Sequence, residues 1–208
     1  MTVVGIVPAG GSGERLGAGR PKAFVVCAGR PLVEWSLDAL EPSCSRIVVA
    51  APASHVRPGW VEGGACRSAS VRNALDAAPD ATVLVIHDAA RPLLTRDLVE
   101  RCLDGLSGVD GAIAARPMTD TVHVSGPDRL VADSLDRSTL WAAQTPQVFE
   151  ADVLRRAFKE QTAAATDEAS LVAAVGGTVR LIEAPRENIK VTTPVDVQLA
   201  ELLLAERS

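Results

Sequence analysis

A glycine-rich segment carrying two cations follows the first apolar run of the chain. Residues 8–22 read Pro-Ala-Gly-Gly-Ser-Gly-Glu-Arg-Leu-Gly-Ala-Gly-Arg-Pro-Lys, directly after Val-Val-Gly-Ile-Val at 3–7. Glycine lets backbone N–H groups turn toward an anion without a Cβ in the way. Arg15 and Lys22 add two positive charges that can grip a polyphosphate. The segment therefore predicts a loop that handles a nucleoside triphosphate.

This loop matches neither of the two familiar glycine-loop motifs. A dinucleotide fingerprint needs G-x-G-x-x-G, and counting from Gly11 the third glycine position is Leu16. The apolar run at 47–52 also ends without the acidic residue of an NAD site. A Walker A loop needs Ser or Thr after its lysine, whereas Lys22 precedes Ala23. Taken alone, the loop is also compatible with an ordinary surface turn.

An aspartate stands at the end of another apolar run. Residues 83–92 read Val-Leu-Val-Ile-His-Asp-Ala-Ala-Arg-Pro. Ligands of open α/β sheets bind at the carboxyl ends of strands, where Asp88 could hold Mg²⁺ against triphosphate oxygens. The alternative is that Asp88 only caps a helix, and Arg91 nearby favours the functional interpretation. We interpret His87 as a structural residue, not as a base.

Three further segments carry polar groups suited to a nucleotide or a phosphate. In 63–71, backbone groups of Gly64 and Ala65 could read a base edge, and Ser70 could bond base or ribose. Serines at a helix start also cap helices, so this signal alone is weak. Arg137 offers a planar fork for phosphate, and Lys190 is one of only three lysines in the chain. Trp141, close to Arg137, is expected in the core.

Composition limits the classes of protein. The chain has 208 residues, 47% of them hydrophobic, with a mean hydropathy of +0.17. We expect a single domain over 1–208, without a membrane span or a signal peptide. A net charge of −5 argues against nonspecific nucleic-acid binding. Four dispersed cysteines predict reduced thiols in the cytoplasm.

Apolar runs alternate with helix-like segments, which predicts an α/β fold with a mostly parallel sheet flanked by helices. Thr193 with Pro194, and Thr166 before two acids, are predicted to cap helices. The candidate strands are 3–7, 46–51, 82–87, 111–116 and 178–183, and the candidate helices are 32–41, 68–78, 95–105, 150–160, 167–175 and 194–206.

One segment, 117–138, interrupts this alternation. Two strand-like stretches flank the turn signal Ser-Gly-Pro-Asp at 125–128, which predicts a protruding β-hairpin arm. An isolated hairpin is marginal in water, so we expect the arm to pack on something, such as a second subunit. The alternative is a flexible insertion.

Taken together, the motifs resemble one known family. Matches extend over residues 3–200, and the blocks H-D-A-A-R-P, Q-T-P-Q and N-I-K-V-T are the most specific; the others are P-A-G-G-S-G-E-R, P-K, G-G-x-x-R-x-x-S-V, D-T-V, D-R-x-x-L-W and T-D-E-A-S. They resemble the 2-C-methyl-D-erythritol 4-phosphate cytidylyltransferases. The resemblance implies a Rossmann-like nucleotidyltransferase fold, a cytoplasmic homodimer joined by the arm, and a step of non-mevalonate isoprenoid synthesis.

The resemblance also assigns roles by position. It implies Arg15 and Lys22 as transition-state stabilisers, and Arg137 and Lys190 as residues that position methylerythritol phosphate. Asp88 is implied as the ligand of Mg²⁺, or of another divalent cation such as Mn²⁺. Contacts with CTP are expected from Ala9, Gly10, Gly11, Gly13, Gly64, Ala65 and Ser70, and further substrate contacts from Arg91, Thr121 and Thr145.

Three other functions remain open at this point. A ribitol 5-phosphate cytidylyltransferase would share the chemistry and differ only in the acceptor pocket. A noncatalytic nucleotide-binding protein is disfavoured because the charged motif residues are all retained. An NAD-dependent oxidoreductase is weakened by Leu16 and by the missing acid.

Overall fold

The computed structural model describes residues 1–17, 19–160 and 167–207. Eleven strands and six α-helices occur within these residues. The strands are β1 Val3–Pro8, β2 Val26–Cys27, β3 Arg30–Pro31, β4 Arg46–Ala51, β5 Val61–Glu62, β6 Val83–Ile86, β7 Gly111–Pro117, β8 Val122–Ser125, β9 Val131–Leu135, β10 Trp141–Glu150 and β11 Val179–Glu183. The helices are α1 Leu32–Leu40, α2 Arg67–Asp76, α3 Arg96–Asp104, α4 Ala151–Glu160, α5 Glu168–Ala174 and α6 Pro194–Ala205.

The central sheet has seven strands in the order β11-β7-β10-β6-β1-β4-β5. Strands β6, β1, β4 and β5 are parallel neighbours, and β11 runs parallel to β7. Among the described strands of this sheet, only β10 is antiparallel to its neighbours. The predicted mostly parallel α/β sheet is confirmed, and the carboxyl ends of β1, β4 and β6 meet at one edge.

Helices cover both faces of the sheet. Along β1 the side chains alternate, so that Val3 and Val7 join one apolar cluster while Val4 and Ile6 join the other. Helices α1 and α3 supply the first cluster, and α2, α4 and α5 supply the second. Burial on both faces explains why β1 reads as a continuous apolar run with no polar alternation.

Strand β10 was not among the predicted strands. Its sequence contains Pro146, and proline cannot donate a ladder hydrogen bond. The pairing register with β7 shifts between Ala143 and Gln147, which accommodates Pro146 and its cis bond to Thr145. Trp141, which we expected in the core, begins this strand with 37% of its surface exposed. Sheet pairing from both sides outweighs the poor local propensity.

The predicted arm is present as a separate two-stranded sheet of β8 and β9. Every residue of β9 is exposed, including Val131 and Leu135. Leu130, in the turn before β9, is 69% exposed. Within one chain the arm therefore leaves its apolar side chains uncovered.

The predicted cap of α6 is confirmed. The Thr193 hydroxyl accepts from the Asp196 N–H and the Asp196 carboxylate accepts from the Thr193 N–H, with Pro194 in the first turn. Thr166 lies outside the described residues, and α5 is capped by Asp167, whose carboxylate accepts from the Ser170 N–H. All four cysteines are free thiols. Within the described ranges, no helix is both long and apolar enough to span a membrane.

Candidate active site

A cleft of about 400 Å³ opens at the carboxyl ends of β1 and β6. The segment that follows β1 forms one wall, the loop before α2 forms the second, and the segments after β6 and before α6 close it. Most of the predicted nucleotide residues line it together: Ala9, Gly10, Gly11, Lys22, Gly64, Ala65, Ser70, Asp88 and Lys190. Residues that are distant in sequence thus meet at the edge where α/β sheets bind ligands.

The glycine-rich loop is held in a tight turn beside this cleft. Gly13 has φ +74°, and a Cβ there would lie 2.9 Å from the Arg20 carbonyl, so the turn requires glycine. The Lys22 N–H donates to the Gly11 carbonyl (2.9 Å), which closes the loop. A second hollow of about 340 Å³ adjoins the cleft and is lined by Gly11, Ser12, Gly13, Glu14, Arg15, Lys22 and Thr192. Arg15 and Lys22 thus share one hollow lined by the glycine-rich loop.

The wall formed by the loop before α2 is shaped by Ser70. This serine is buried; its hydroxyl accepts from the Gly64 N–H (3.1 Å) and donates to the Cys66 carbonyl (3.0 Å). A Cβ on Gly64 would lie 2.4 Å from the Ala69 Cβ, so only glycine fits. Because the Gly64 N–H and the Ser70 proton are already used, the Gly64 carbonyl and the Ala65 backbone are the groups left for a base edge.

Asp88 does not cap a helix, since α3 begins after Thr95. Its carboxylate lies between two cations, with Oδ1 2.9 Å from Arg67 Nε and Oδ2 2.6 Å from Lys190 Nζ. Burial alone would raise the pKa of Asp88, but Arg67 and Lys190 outweigh it and hold that pKa well below the ordinary value. Asp88 is therefore a carboxylate at neutral pH.

Sequence reasoning gave Arg67 no role and placed Glu168 only in the first turn of a helix. The Arg67 Nη1 donates to both carboxylate oxygens of Glu168 at 2.8 Å while its Nε bonds Asp88. Glu168 is only 1% exposed and lies in the first turn of α5. Arg67 belongs to the motif G-G-x-x-R and Glu168 to T-D-E-A-S, both of which carried the family resemblance. Membership in these motifs was the signal by which the two residues could have been found from the sequence. The structure shows that these two motifs meet.

The cleft is positively charged in a chain of net charge −5. Burial, and next the repulsion from Lys190, lower the pKa of Lys22 from its ordinary value. The Lys22 ammonium donates to the Val191 carbonyl (3.1 Å), which ties the glycine loop to the segment of Lys190. Such a concentration of cations suits a polyphosphate far better than a neutral ligand.

His87 is linked to the Asp88 backbone through the Thr145 hydroxyl, in agreement with its interpretation as a structural residue. The Asp88 N–H donates to Thr145 Oγ1, and that hydroxyl lies 3.1 Å from His87 Nδ1. His87 Nε2 lies 3.1 Å from the Arg91 carbonyl, which can only accept, so the proton belongs on Nε2 and the Thr145 hydroxyl donates to Nδ1. Burial lowers the pKa of His87 to about 4, which keeps the ring neutral.

The remaining substrate-site predictions fall into two groups. Arg91 and Thr145 are buried next to Asp88; Arg91 Nη1 donates to the Asn188 carbonyl (2.7 Å), while its Nε has no acceptor among the described residues. Arg137 and Thr121 lie on the exposed arm, outside the residues that line the cleft. The Arg137 guanidinium donates to the Thr119 carbonyl (2.7 Å) at the base of the arm. One chain therefore does not bring the arm residues to its own cleft lining.

Another hollow, of about 550 Å³, lies at the opposite end of the sheet near the starts of β7 and β11. Its lining includes Asp104, Asp110 and Glu150, and no lysine or arginine stands among the described lining residues. This acidic surface does not suit a triphosphate, so the smaller cleft remains the candidate active site.

Comparison with known proteins gives a consistent result. The family model of IspD, 2-C-methyl-D-erythritol 4-phosphate cytidylyltransferase, matches residues 3–206. A protein of that name from Symbiobacterium thermophilum is 42% identical, over 98% of this chain and 93% of its own length. Another from Synechococcus elongatus is 37% identical, over 97% of this chain and 96% of its own length. The crystal structure of the Thermus thermophilus enzyme of that name superimposes with a TM-score of 0.85 at 35% identity, covering 99% of this chain and all of that one.

Both the sequence match and the fold extend over nearly the whole chain, and the cleft lies where open α/β sheets place their ligands. The chain belongs to the IspD family, the 2-C-methyl-D-erythritol 4-phosphate cytidylyltransferases.

Proposed function

We propose that the cleft between the glycine-rich loop and Lys190 is where this nucleotidyltransferase binds CTP and transfers CMP to 2-C-methyl-D-erythritol 4-phosphate. The observation that carries the proposal is the convergence of Lys22, Asp88 and Lys190 on one cleft beside the glycine loop. Gly10, Gly11 and Gly13 hold the triphosphate through backbone N–H groups. Ala9 lines the same cleft, but its N–H already donates to the Ala50 carbonyl (2.8 Å), so it contacts CTP through its other atoms. The cytidine lies against Gly64, Ala65 and Ser70.

In this reaction a phosphate oxygen of the acceptor attacks the α-phosphorus of CTP in line. A new P–O bond forms, the bond to the β-phosphate breaks, and pyrophosphate leaves with that electron pair. Lys22 and Arg15 stabilise the charge that develops on the phosphate oxygens, and Lys190 orients the acceptor. A phosphate monoester is already largely ionised near neutral pH, so the step needs no strong base. A neutral, buried His87 agrees with this.

Asp88 offers a magnesium ion a single carboxylate, both of whose oxygens are bonded by Arg67 and Lys190, so such an ion would be held mostly by phosphates. Within the described residues, no group of three His, Cys, Asp or Glu side chains could form a protein cage for a metal. One carboxylate together with substrate phosphates is the usual arrangement for Mg²⁺, and Mn²⁺ can replace it. When bound, the ion neutralises triphosphate charge, and Asp88 is the residue that would hold it.

The arm is proposed to join two chains into a homodimer. The most exposed apolar residues of the arm are Leu130 and Val131, and only contact with another surface would bury them. In such a dimer Arg137 and Thr121 would reach the cleft of the partner and contact the acceptor phosphate. The free thiols agree with a cytoplasmic enzyme. No nucleic acid or membrane takes part in the reaction proposed.

A pyrophosphate-release assay tests the proposal. CTP, UTP, GTP and ATP are each supplied with methylerythritol phosphate and, in parallel, with ribitol 5-phosphate. We expect turnover with CTP and methylerythritol phosphate, and its loss in excess EDTA. Faster turnover with ribitol 5-phosphate, or undiminished activity in EDTA, contradicts the substrate or the metal assignment. Asp88→Asn should weaken the Mg²⁺-dependent binding of CTP while the circular dichroism spectrum stays unchanged.

A further inference from the structure

The pair formed by Arg67 and Glu168 has no part in the roles proposed above. Glu168 is 1% exposed, and both of its carboxylate oxygens bond one nitrogen of Arg67 at 2.8 Å. A buried ion pair is weak evidence for stability, because apolar residues of similar volume often serve the fold as well. The placement of this pair, next to Asp88 at the edge of the cleft, points to a use in binding.

Arg67 is shared between two carboxylates. Its Nε serves Asp88 and its Nη1 serves Glu168, and the side chain also lines the cleft. An arginine with a single carboxylate partner tends to bind it with two parallel hydrogen bonds. Glu168 therefore restrains Arg67 from turning its whole fork onto Asp88.

The four charges of this ion-pair network balance, while Lys22 nearby leaves the cleft as a whole positive. Lys190 and Arg67 are positive, and Asp88 and Glu168 are negative; burial raises the pKa of Glu168, and its hydrogen bonds with Arg67 oppose that rise. Without the charge of Glu168 the network would carry one excess positive charge beside the position proposed for Mg²⁺. That excess would oppose a divalent cation both by repulsion and by occupying Asp88 more fully.

We propose that Glu168 is a positioning residue that holds Arg67 away from full engagement with Asp88 and so lets Asp88 accept the divalent cation that arrives with CTP. The inference rests on the proposed role of Asp88. Glu168 acts through Arg67 and does not itself contact the nucleotide.

The test is titration calorimetry of CTP at increasing Mg²⁺ without acceptor, so that no turnover occurs. Partners that orient a metal ligand typically change metal affinity by 10–100-fold, so Glu168→Gln should raise the Mg²⁺ required for half-maximal binding by ~10-fold. The matched control is Asp167→Asn, which removes a charge one residue away and keeps the cap of α5, since Asn caps helices as well as Asp. We expect this control to need as much Mg²⁺ as the wild type.

A double variant separates the electrostatic role from a merely structural one. Arg67→Gln with Glu168→Gln returns the network to balance, so the Mg²⁺ requirement should fall back toward the wild-type value. The inference is overturned if the double variant requires as much Mg²⁺ as Glu168→Gln. It is also overturned if Glu168→Gln requires no more Mg²⁺ than Asp167→Asn. Should Glu168→Gln fail to fold, Arg67→Gln replaces it: we expect a lower Mg²⁺ requirement than in the wild type, and an unchanged or higher one overturns the inference.

The same titrations distinguish a failure of the proposed function. If CTP binding to the wild type is independent of Mg²⁺ and of Asp88→Asn, then Asp88 does not hold the cation and the underlying assignment is wrong. If both dependences are present and only Glu168→Gln lacks its effect, the assignment of Asp88 stands and the role of Glu168 alone is rejected.

Discussion

The side chains of the cleft find their partners within one chain, whereas the apolar side chains of the arm do not. Around the cleft, Asp88, His87 and Glu168 are buried, and each has hydrogen-bond partners from distant parts of the same chain. On the arm, Leu130 and Val131 are more than 60% exposed. A buried polar network is costly unless it is complete, whereas an exposed apolar hairpin is costly until something covers it. One chain therefore completes the buried polar network of the cleft but leaves the apolar side chains of the arm uncovered.

The largest effect is expected inside the cleft. Lys22→Ala removes the charge that we propose acts on the triphosphate, so we predict that kcat falls by roughly 10²–10³-fold with little change in the melting temperature. Lys22→Arg should also be impaired, because the guanidinium spreads its charge over a larger fork. Steady-state kinetics and thermal unfolding measure both. A Lys22→Arg enzyme at the wild-type rate would refute the requirement for a compact charge.

The next prediction concerns the arm as an interface. Burial of a leucine side chain contributes about 1.5–3 kcal/mol, and a two-fold dimer contains each residue twice. At the lower end of this range the two copies together contribute about 3 kcal/mol, so Leu130→Ala should weaken the dimer by at least roughly 100-fold. Sedimentation equilibrium measures this. The matched control is Leu202→Ala on α6, which is 60% exposed outside the arm; equal effects of the two variants would argue against the arm as the interface.

A mixing experiment tests whether the arm completes the cleft of the partner. Arg137→Ala and Lys22→Ala subunits are each expected to be inactive, but their hybrid dimer has one site with both lesions and one with neither. After random exchange, activity should recover to roughly a quarter of the wild-type value if the sites are independent. Absence of recovery, despite subunit exchange shown by mass, would place Arg137 in the cleft of its own chain.

The last prediction is a pH dependence of stability that arises from His87, which is buried beside the cleft. Below pH 6.5 the unfolded chain protonates His87, whereas the folded chain resists until about pH 4. Stability should therefore fall as pH falls through this window, by up to about 3 kcal/mol from this group. Urea unfolding should show a shallower pH dependence for His87→Gln. His123→Gln, on the exposed arm, should keep the wild-type pH dependence of stability. If both variants lose that pH dependence, its cause is not the burial of His87.

Local patterns in the sequence were sufficient for features that depend on near neighbours. The apolar run of β1, the glycine turn after it and the Thr193 cap follow from periodicity and from residue types a few positions apart. The arm was also predictable, because a turn signal between two β-prone stretches is a local feature. The family resemblance rests on the same short motifs.

The tertiary structure alone decided which distant groups meet. No local rule joins Arg67 to Glu168, 101 residues later, because their contact depends on where α2 and α5 pack. Strand β10 forms in spite of Pro146, since pairing with β6 and β7 outweighs local propensity. Apart from strands such as β10, the sequence by itself thus determined most of the elements and the chemistry available at their ends. Tertiary packing decided which charges share one cleft and which apolar residues of the arm stay exposed, because burial depends on contacts between distant segments.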